Sequence, residues 1–340
     1  MTTVKSTKYL SYDQTLGMTY MEGKGFYYPN DSVVAPDGKI YVLSRGQEHF
    51  GSGRGIRVTV LDTNENFHSV FGKFGSGYCE FTWPSAISMS PDGRLFITDE
   101  HLDKVIILNT EGEALGEWGK SGEGSDELNC PSGITFDNEG NVYISDTYNN
   151  CVKVFTDDGK HLQTIGLSKE EDGLKLPWRL SVGPDSNIYV ADWGNDRICS
   201  YDKNGNFLSS YGKSGSNEGE LLKPADVVVD ESGNVHVADW GNERIQVFNN
   251  SGDFLEMNLG ESELSGWAKD FFSVNVEEAQ TRATANLHIE DIPFSNMNDR
   301  HEISSHIEEY FWGPTSLNIG PDGKLYILEC NRHRLQVFNI

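Results

Sequence analysis

Residues 190 to 198 read VADWGNDRI and residues 237 to 245 read VADWGNERI, one nine-residue phrase written twice with a single carboxylate exchanged for another. Aligning the chain on this phrase exposes a longer unit. A proline comes first, then an apolar strand, a tight turn, a β-branched strand closing on an acid, a short polar loop and another apolar strand. The unit opens at Pro29, Pro84, Pro131, Pro177, Pro224 and Pro314, with separations of 55, 47, 46, 47 and 90 residues. A period near 47 therefore carries one small insertion and one large one. The turns include PDGK at 36 to 39, NEGN at 138 to 141 and ESGN at 231 to 234, which mark tight hairpins. The strands that follow them, such as IYVLS, VYISD and LYILE, have the β-branched and aromatic content of sheet.

A unit of about 40 to 50 residues with four short strands cannot bury its own two faces and must stack on its neighbours, as propeller blades do. Six copies predict an all-β, six-bladed β-propeller occupying residues 1–340 as a single domain. The last copy stops at LQVFNI (335 to 340), after its third strand, so its outer strand must come from elsewhere. The segment before Pro29 resembles the outer-strand stretch that precedes Pro224, and the amino terminus is expected to close the ring.

The pattern PDGKIYV, then D-x-x-N-x-R-I, then VF resembles the NHL repeat and covers the chain except for residues 259–312. A partial similarity to the peptidyl-hydroxyglycine amidating lyases rests on YVLSRGQEHFGSG in the first unit, and it implies substrate contact for Arg45. In that family the residues directly after the blade-opening prolines include zinc-binding histidines. Here those positions are Asn30, Ser85, Ser132, Trp178, Ala225 and Thr315, so that zinc site is absent as written. Related six-bladed lactonases and phosphotriesterases hold calcium with central carboxylates and amides, an arrangement that Asn30, Asp31 and Asp226 could imitate.

The formal net charge of −25 disfavours nucleic-acid partners, and no basic patch offsets it. No run approaches the ~18 apolar residues of a membrane span, and the first residues lack a secretory signal, so a cytoplasmic address is the simplest expectation. Five scattered cysteines without a C-x-x-C pair fit reduced thiols.

Positions that agree among the copies are read as architecture, and departures on the rim as candidates for function. The acid closing the second strand is Asp99, Asp146, Asp192, Asp239 and Glu329, with Ser44 in the first copy, and is expected to brace backbone N–H groups. Arg197, Arg244 and Arg334 read as struts between blades. Trp193 and Trp240 stand for a substrate wall or for packing between blades. Two places after each opening proline the copies read Asp31, Ala86, Gly133, Arg179, Asp226 and Ser316. Charges in a narrow channel must pair, bind an ion or hold a polar ligand, so Arg179 is either a substrate anchor or half of a salt bridge closing the bore. A Gly-rich excursion in the first copy carries Arg45, Gln47, Glu48, His49, Arg54 and Arg57. In the second copy Glu100 and His101 follow Asp99, and Tyr148 occupies the place of His101 in the third. With Asp226 these are the candidates for proton transfer.

The insertion, residues 259–312, is expected to be partly helical and to lie over the rim as a lid, with apolar contacts from Trp267, Phe271, Tyr310 and Phe311. The expected function is that of a small-molecule enzyme, a lyase or hydrolase, binding an anionic substrate through Arg45 and Arg179. A divalent metal, calcium or zinc, is an open question. The alternative is a non-catalytic NHL module that binds a protein or peptide on the same rim.

Overall fold

A computed structural model describes residues 9–46, 55–168, 170, 172–286, 296 and 299–340. Gln47, Glu48, His49, Arg54 and the insertion's His288 lie outside the described residues. Six four-stranded antiparallel sheets form the blades of a propeller. In blade one the strands Pro29–Val34, Lys39–Ser44, Arg57–Asp62 and Phe67–Phe71 run in chain order from the central bore to the rim of the disc. Blade six takes its outer strand, Ser11–Leu16, from the amino terminus, paired with Arg334–Asn339. This is the ring closure expected from the truncated last copy.

Cohesion comes from between the blades rather than within them. Six apolar clusters lie one at each blade interface, so each sheet buries both faces only by contact with two neighbours. Each outer strand ends in a glycine with positive φ, at 17, 72, 119, 166, 212 and 260. A Cβ at Gly17 would stand 2.0 Å from the Phe26 ring, and one at Gly212 2.4 Å from Leu221. Glycine is required there because the chain turns against the residue that begins the next blade's core.

The disc has two faces. On the hairpin face each blade closes its tight turns. On the crossover face the chain passes from each outer strand to the next blade's first strand, beside the loops that follow the second strands. In five copies the acid closing the second strand accepts the N–H of a residue 17 positions earlier, in the crossover: Thr82, Asn129, Lys175, Leu222 and Trp312 donate to Asp99, Asp146, Asp192, Asp239 and Glu329. Ser44 Oγ takes the Tyr27 N–H in the first copy, at the same 17-residue spacing. The bracing role is therefore shown, but the braced chain is the incoming crossover and not the acid's own loop alone. Arg197, Arg244 and Arg334 bind these acids and also donate to crossover carbonyls at Gly173, Ser216 and Glu308. Arg57, expected in the rim excursion, is another such strut and holds the carbonyls of Tyr20 and Gly25.

The insertion contains helices α1 (Gly266–Val274), α2 (Val276–Ala283) and α3 (Arg300–His306). Ser265 caps α1 by accepting the Ala268 N–H. Trp267 enters the apolar cluster between blades six and one, beside Phe26, and its indole donates to Glu65 O at 2.6 Å. The first half of the insertion thus buttresses the outer wall instead of lying over the rim. The second half reaches the crossover face at blades five and six, where Arg332 holds the carbonyls of Ser304 and Ile307. Phe311 is buried, whereas Phe271 is 38% exposed. No described helix is long and apolar enough to cross a membrane.

Candidate functional site

The innermost strand of every blade has one edge facing the bore with no strand to pair it, which leaves backbone N–H and C=O groups in a confined space. The three charged departures satisfy them. Arg179 lies across the bore and donates to Thr315 O at 2.7 Å, Asn30 O at 2.7 Å and Ser85 O at 2.9 Å. Asp31 accepts from Ser32 N at 2.9 Å and from Ile87 N of the next blade at 2.8 Å. Asp226 accepts from Val227 N at 2.8 Å and from Leu317 N, again of the next blade, at 2.7 Å. The guanidinium therefore serves bare carbonyls and the carboxylates serve bare N–H groups, tying five blades together at one level. Gly133 is what leaves room for this, since a Cβ there would stand 2.9 Å from the Arg179 Cα.

This geometry bears on two expectations. Arg179 is 3% exposed with its terminal nitrogens committed to carbonyls, so it closes the bore and is not placed as a substrate anchor on the rim. Asn30, Asp31 and Asp226 do not fit a metal cage either: Asn30 donates its amide to Ser85 O at 2.6 Å, and both carboxylates take two backbone N–H groups. Among the described residues no group of three or more His, Cys, Asp or Glu side chains is placed to hold a metal ion. Burial pushes the Asp226 carboxyl up to about 8, with the Asp31 charge adding and the Arg179 charge opposing. That places its proton in the bore and not at the rim where the other acid–base candidates lie.

On the crossover face the residue after each bracing acid occupies one equivalent site, read as Arg45, Glu100, Thr147, Trp193, Trp240 and Cys330. Two of these residues, contributed by neighbouring blades, meet. Arg45 pairs with Glu100 Oε2 at 2.9 Å, with only 16% and 7% of the two side chains exposed. The other carboxylate oxygen, Glu100 Oε1, is buried without a hydrogen-bond partner. Burial raises the Glu100 carboxyl above its usual range, and Arg45 and then Arg179 oppose that shift. The Arg45 guanidinium lies 5.4 Å from the Trp83 ring centroid, and the His101 ring lies 5.1 Å from the same indole on a tilted face. His101 is exposed, and Tyr148, on the next blade, is 61% exposed. Glu100, His101 and Arg45 thus form one cluster around Trp83, with Tyr148 further along the rim.

Trp193 and Trp240 do not join it. Trp193 lies 6.0 Å from Trp178 and under the Lys223 ammonium at 4.4 Å, while Trp240 packs on the cluster between blades five and six. Packing between blades was the alternative reading of both. Trp83 was missed by sequence reasoning. It precedes a blade-opening proline, a position at which the copies read Tyr28, Trp83, Cys130, Leu176, Lys223 and Gly313, with no two alike, and that disagreement was the available signal.

A second cluster, also missed, surrounds the exchanged carboxylate of the repeated phrase. Asp103, Asp196 and Glu243 each follow the loop in a left-handed conformation and accept the N–H of the residue before the next proline, from Cys130, Lys223 and Gly313. Glutamate has one methylene more than aspartate. Glu243 holds Gly313 N with Oε2 and keeps Oε1 for His301 Nδ1 of α3, at 2.5 Å. The His301 Nε2 accepts the Trp312 indole N–H at 3.1 Å. Burial raises the Glu243 carboxyl to about 7 against these hydrogen bonds.

The NHL repeat profile matches residues 128–155, 221–248 and 311–338. No curated protein sequence matches the chain. Among solved structures, the chain is similar to a catalytically inactive histidine-to-alanine variant of virginiamycin B lyase from Staphylococcus aureus with quinupristin, at 14% identity and a TM-score of 0.58, over 96% of this chain and 98% of that one. A streptogramin B lyase matches at 12% identity and a TM-score of 0.58, over 96% of each chain. A Bacteroides thetaiotaomicron protein of unknown function matches at 14% identity with a TM-score of 0.63, over 97% of this chain and 75% of that one. At such identities the likeness shows the propeller fold. The similarity to amidating lyases finds no support in these comparisons.

Proposed function

We propose that the chain is a lyase or hydrolase acting on a small polar substrate at the crossover face of blades one and two. The observation that carries this reading is Glu100, which has one oxygen held by Arg45 and the other buried without a partner. A carboxylate so placed is costly unless a ligand completes it, and its raised pKa suits a general base. In the proposed reaction Glu100 Oε1 takes a proton from a substrate carbon or from water. The exposed imidazole of His101 returns one to the leaving oxygen, with Tyr148 as the second donor within the same rim. Arg45 fixes the base and sets a positive charge beside it, toward which an anionic group of the substrate is drawn. The two lyases among the structural neighbours favour elimination as the first reaction to test, and quinupristin as the first compound.

The test is mass-spectrometric product detection on quinupristin and a panel of esters, lactones and hydroxy acids, with wild type, Glu100→Gln and Arg45→Ala. Turnover by wild type that falls at least about 100-fold in Glu100→Gln, with unchanged melting temperature, supports the reading. Turnover that survives Glu100→Gln would overturn the residue's role. A second reading, docking of a protein or peptide without chemistry, rests on the exposed aromatics Tyr78, Trp83 and Tyr148, which are 64%, 39% and 61% exposed. It predicts no product from any substrate and a loss of partner binding in Trp83→Ala.

A further inference from the structure

Beyond Arg179 the bore continues toward the hairpin face as a cavity of about 90 Å³. Its closed end is formed by Asp31, Arg179 and Asp226, and its wall includes Ser32 and Ser181. Three buried polar atoms in this lining, Ser32 Oγ, Ser181 Oγ and Arg179 Nε, have no hydrogen-bond partner, and Ser32 is only 1% exposed. Each carboxylate oxygen of Asp31 and Asp226 accepts one backbone N–H, which leaves it a second lone pair. Two carboxylates face one guanidinium, 3.6 Å from Asp31, so the closed end carries a surplus of one negative charge when both acids are ionised. A buried surplus of this kind is costly without a positive partner.

The way in has a different chemistry. The fifth residue after each opening proline is Val34, Met89, Phe136, Val182, Val229 or Ile319, apolar in all six copies. Five of these residues, all but Met89, line a mouth of about 430 Å³ on the hairpin face. Around that mouth the six first hairpins, 35–39, 90–94, 137–141, 183–187, 230–234 and 320–324, carry eight carboxylates and three basic residues. Those three are already paired, Lys39 with Asp37, Arg94 with Asp92 and Lys324 with Asp13. From the surface inward the passage is therefore acidic, then apolar, then hydroxyl-lined with an anionic end. The apolar ring and the carboxylates are three residues apart, about 10 Å along a strand.

We infer that this bore binds the primary ammonium of an unbranched alkyl chain, inserted from the hairpin face. An ammonium has three N–H donors, and Ser32 Oγ, Ser181 Oγ and a free lone pair of Asp31 or Asp226 offer three acceptors. Its methylenes suit the apolar ring, as lysine stems do on apolar surfaces, while a strongly hydrated divalent ion gains nothing there. An anion is disfavoured by the surplus carboxylate. The raised pKa of Asp226 agrees with this account, because the buried site holds a proton where it lacks a cation. The charged groups facing Asp226 are Arg179 and Asp31, and the ammonium would replace the proton. The site opens on the opposite face from Glu100 and shares no binding residue with the chemistry proposed there, although the Arg179 charge acts on both carboxyls.

Isothermal titration of the full chain with 1,5-diaminopentane, spermidine and an oligolysine peptide tests the inference, with tetramethylammonium and magnesium as controls. Saturable binding is expected for at least one amine, with proton release near pH 7 in buffers of different ionisation enthalpy. It should weaken at least tenfold in Asp226→Asn and in Val182→Trp, which narrows the mouth without touching the charges. Asp185→Asn, on the outer collar, should change it less than twofold. Binding of the free amines identifies a small metabolite as the source, whereas binding of oligolysine alone identifies a lysine side chain of a partner. Equal binding of the controls, or binding indifferent to both Asp226→Asn and Val182→Trp in folded protein, overturns the inference, as does no binding of any amine.

Discussion

On the hairpin face every first turn is held by a side chain of its own. Asp37, Asp137, Asp185, Asp230 and Asp322 accept backbone N–H groups two to four residues on, and Ser90 does the same in blade two. On the crossover face the bracing acid recurs, but the residue after it differs in every blade except for the two tryptophans. Uniform turns need only close a sheet, and the local hydrogen bonds that close it are available to any blade. Irregular rim residues must answer to something outside their own blade. Two buried carboxylate oxygens among the described residues of the crossovers and their adjoining loops find no partner, Asp172 Oδ1 in the crossover to blade four and Glu100 Oε1, and only Glu100 stands at the variable position after a bracing acid. The difference separates, within one repeat protein, positions that only close a blade from positions that are left to vary between blades.

The largest effect expected is on activity. Glu100→Gln should cost at least about 100-fold in turnover at unchanged stability, whereas Asp185→Asn on the hairpin face should leave turnover alone. A hairpin-face variant that removed activity would break the contrast between the faces. Next comes Arg179→Met, which removes the Arg179 donor from the carbonyls of Thr315 and Asn30, leaves Ser85 O with the Asn30 amide alone, and leaves Asp31 and Asp226 without a counter-charge. Breaking such a buried set typically costs about 3–5 kcal/mol, measurable as a fall in denaturation midpoint. Stability intact in Arg179→Met would return that residue to the list of functional candidates. A smaller effect follows from Asp226, whose carboxyl rises from 3.8 to about 8 in the fold. A raised acid contributes stability that is present below its unfolded pKa and is lost as pH climbs through its folded one. Wild type should therefore lose stability relative to Asp226→Asn between about pH 4 and pH 8, by melting curves across that window.

The blades were legible because each repeats a pattern of strands and turns that local chemistry dictates, and a period survives small insertions. Ring closure by Ser11–Leu16 followed from a missing fourth strand in the last copy. The role of Arg179 was not legible, because its partners are backbone carbonyls of Asn30, Ser85 and Thr315, and no side-chain pattern advertises which carbonyls lie bare around a bore. Nor was the place of the insertion: α1 is amphipathic in any setting, and only the gap between blades six and one shows that Trp267 belongs to that core. Arg45 and Glu100 were each singled out, but their pairing depends on two loops 55 residues apart meeting across a blade boundary.

The smallest effect concerns the letter that distinguishes the two phrases. Asp196 holds Lys223 N with one oxygen and Ser214 with the other, and so serves only the step to the next blade. Glu243 makes the same backbone contact and reaches His301 besides. Glu243→Asp would make the second phrase identical to the first. The shorter side chain should keep the Gly313 bond and release the histidine, at a cost of about 1 kcal/mol because His301 is half exposed. Amide exchange should then quicken in residues 300–306 while the strands of blade five keep their protection. If exchange in α3 did not change, the helix would be held by Arg332 and its carbonyl contacts alone, and the exchanged carboxylate would be architecture like the rest of the phrase.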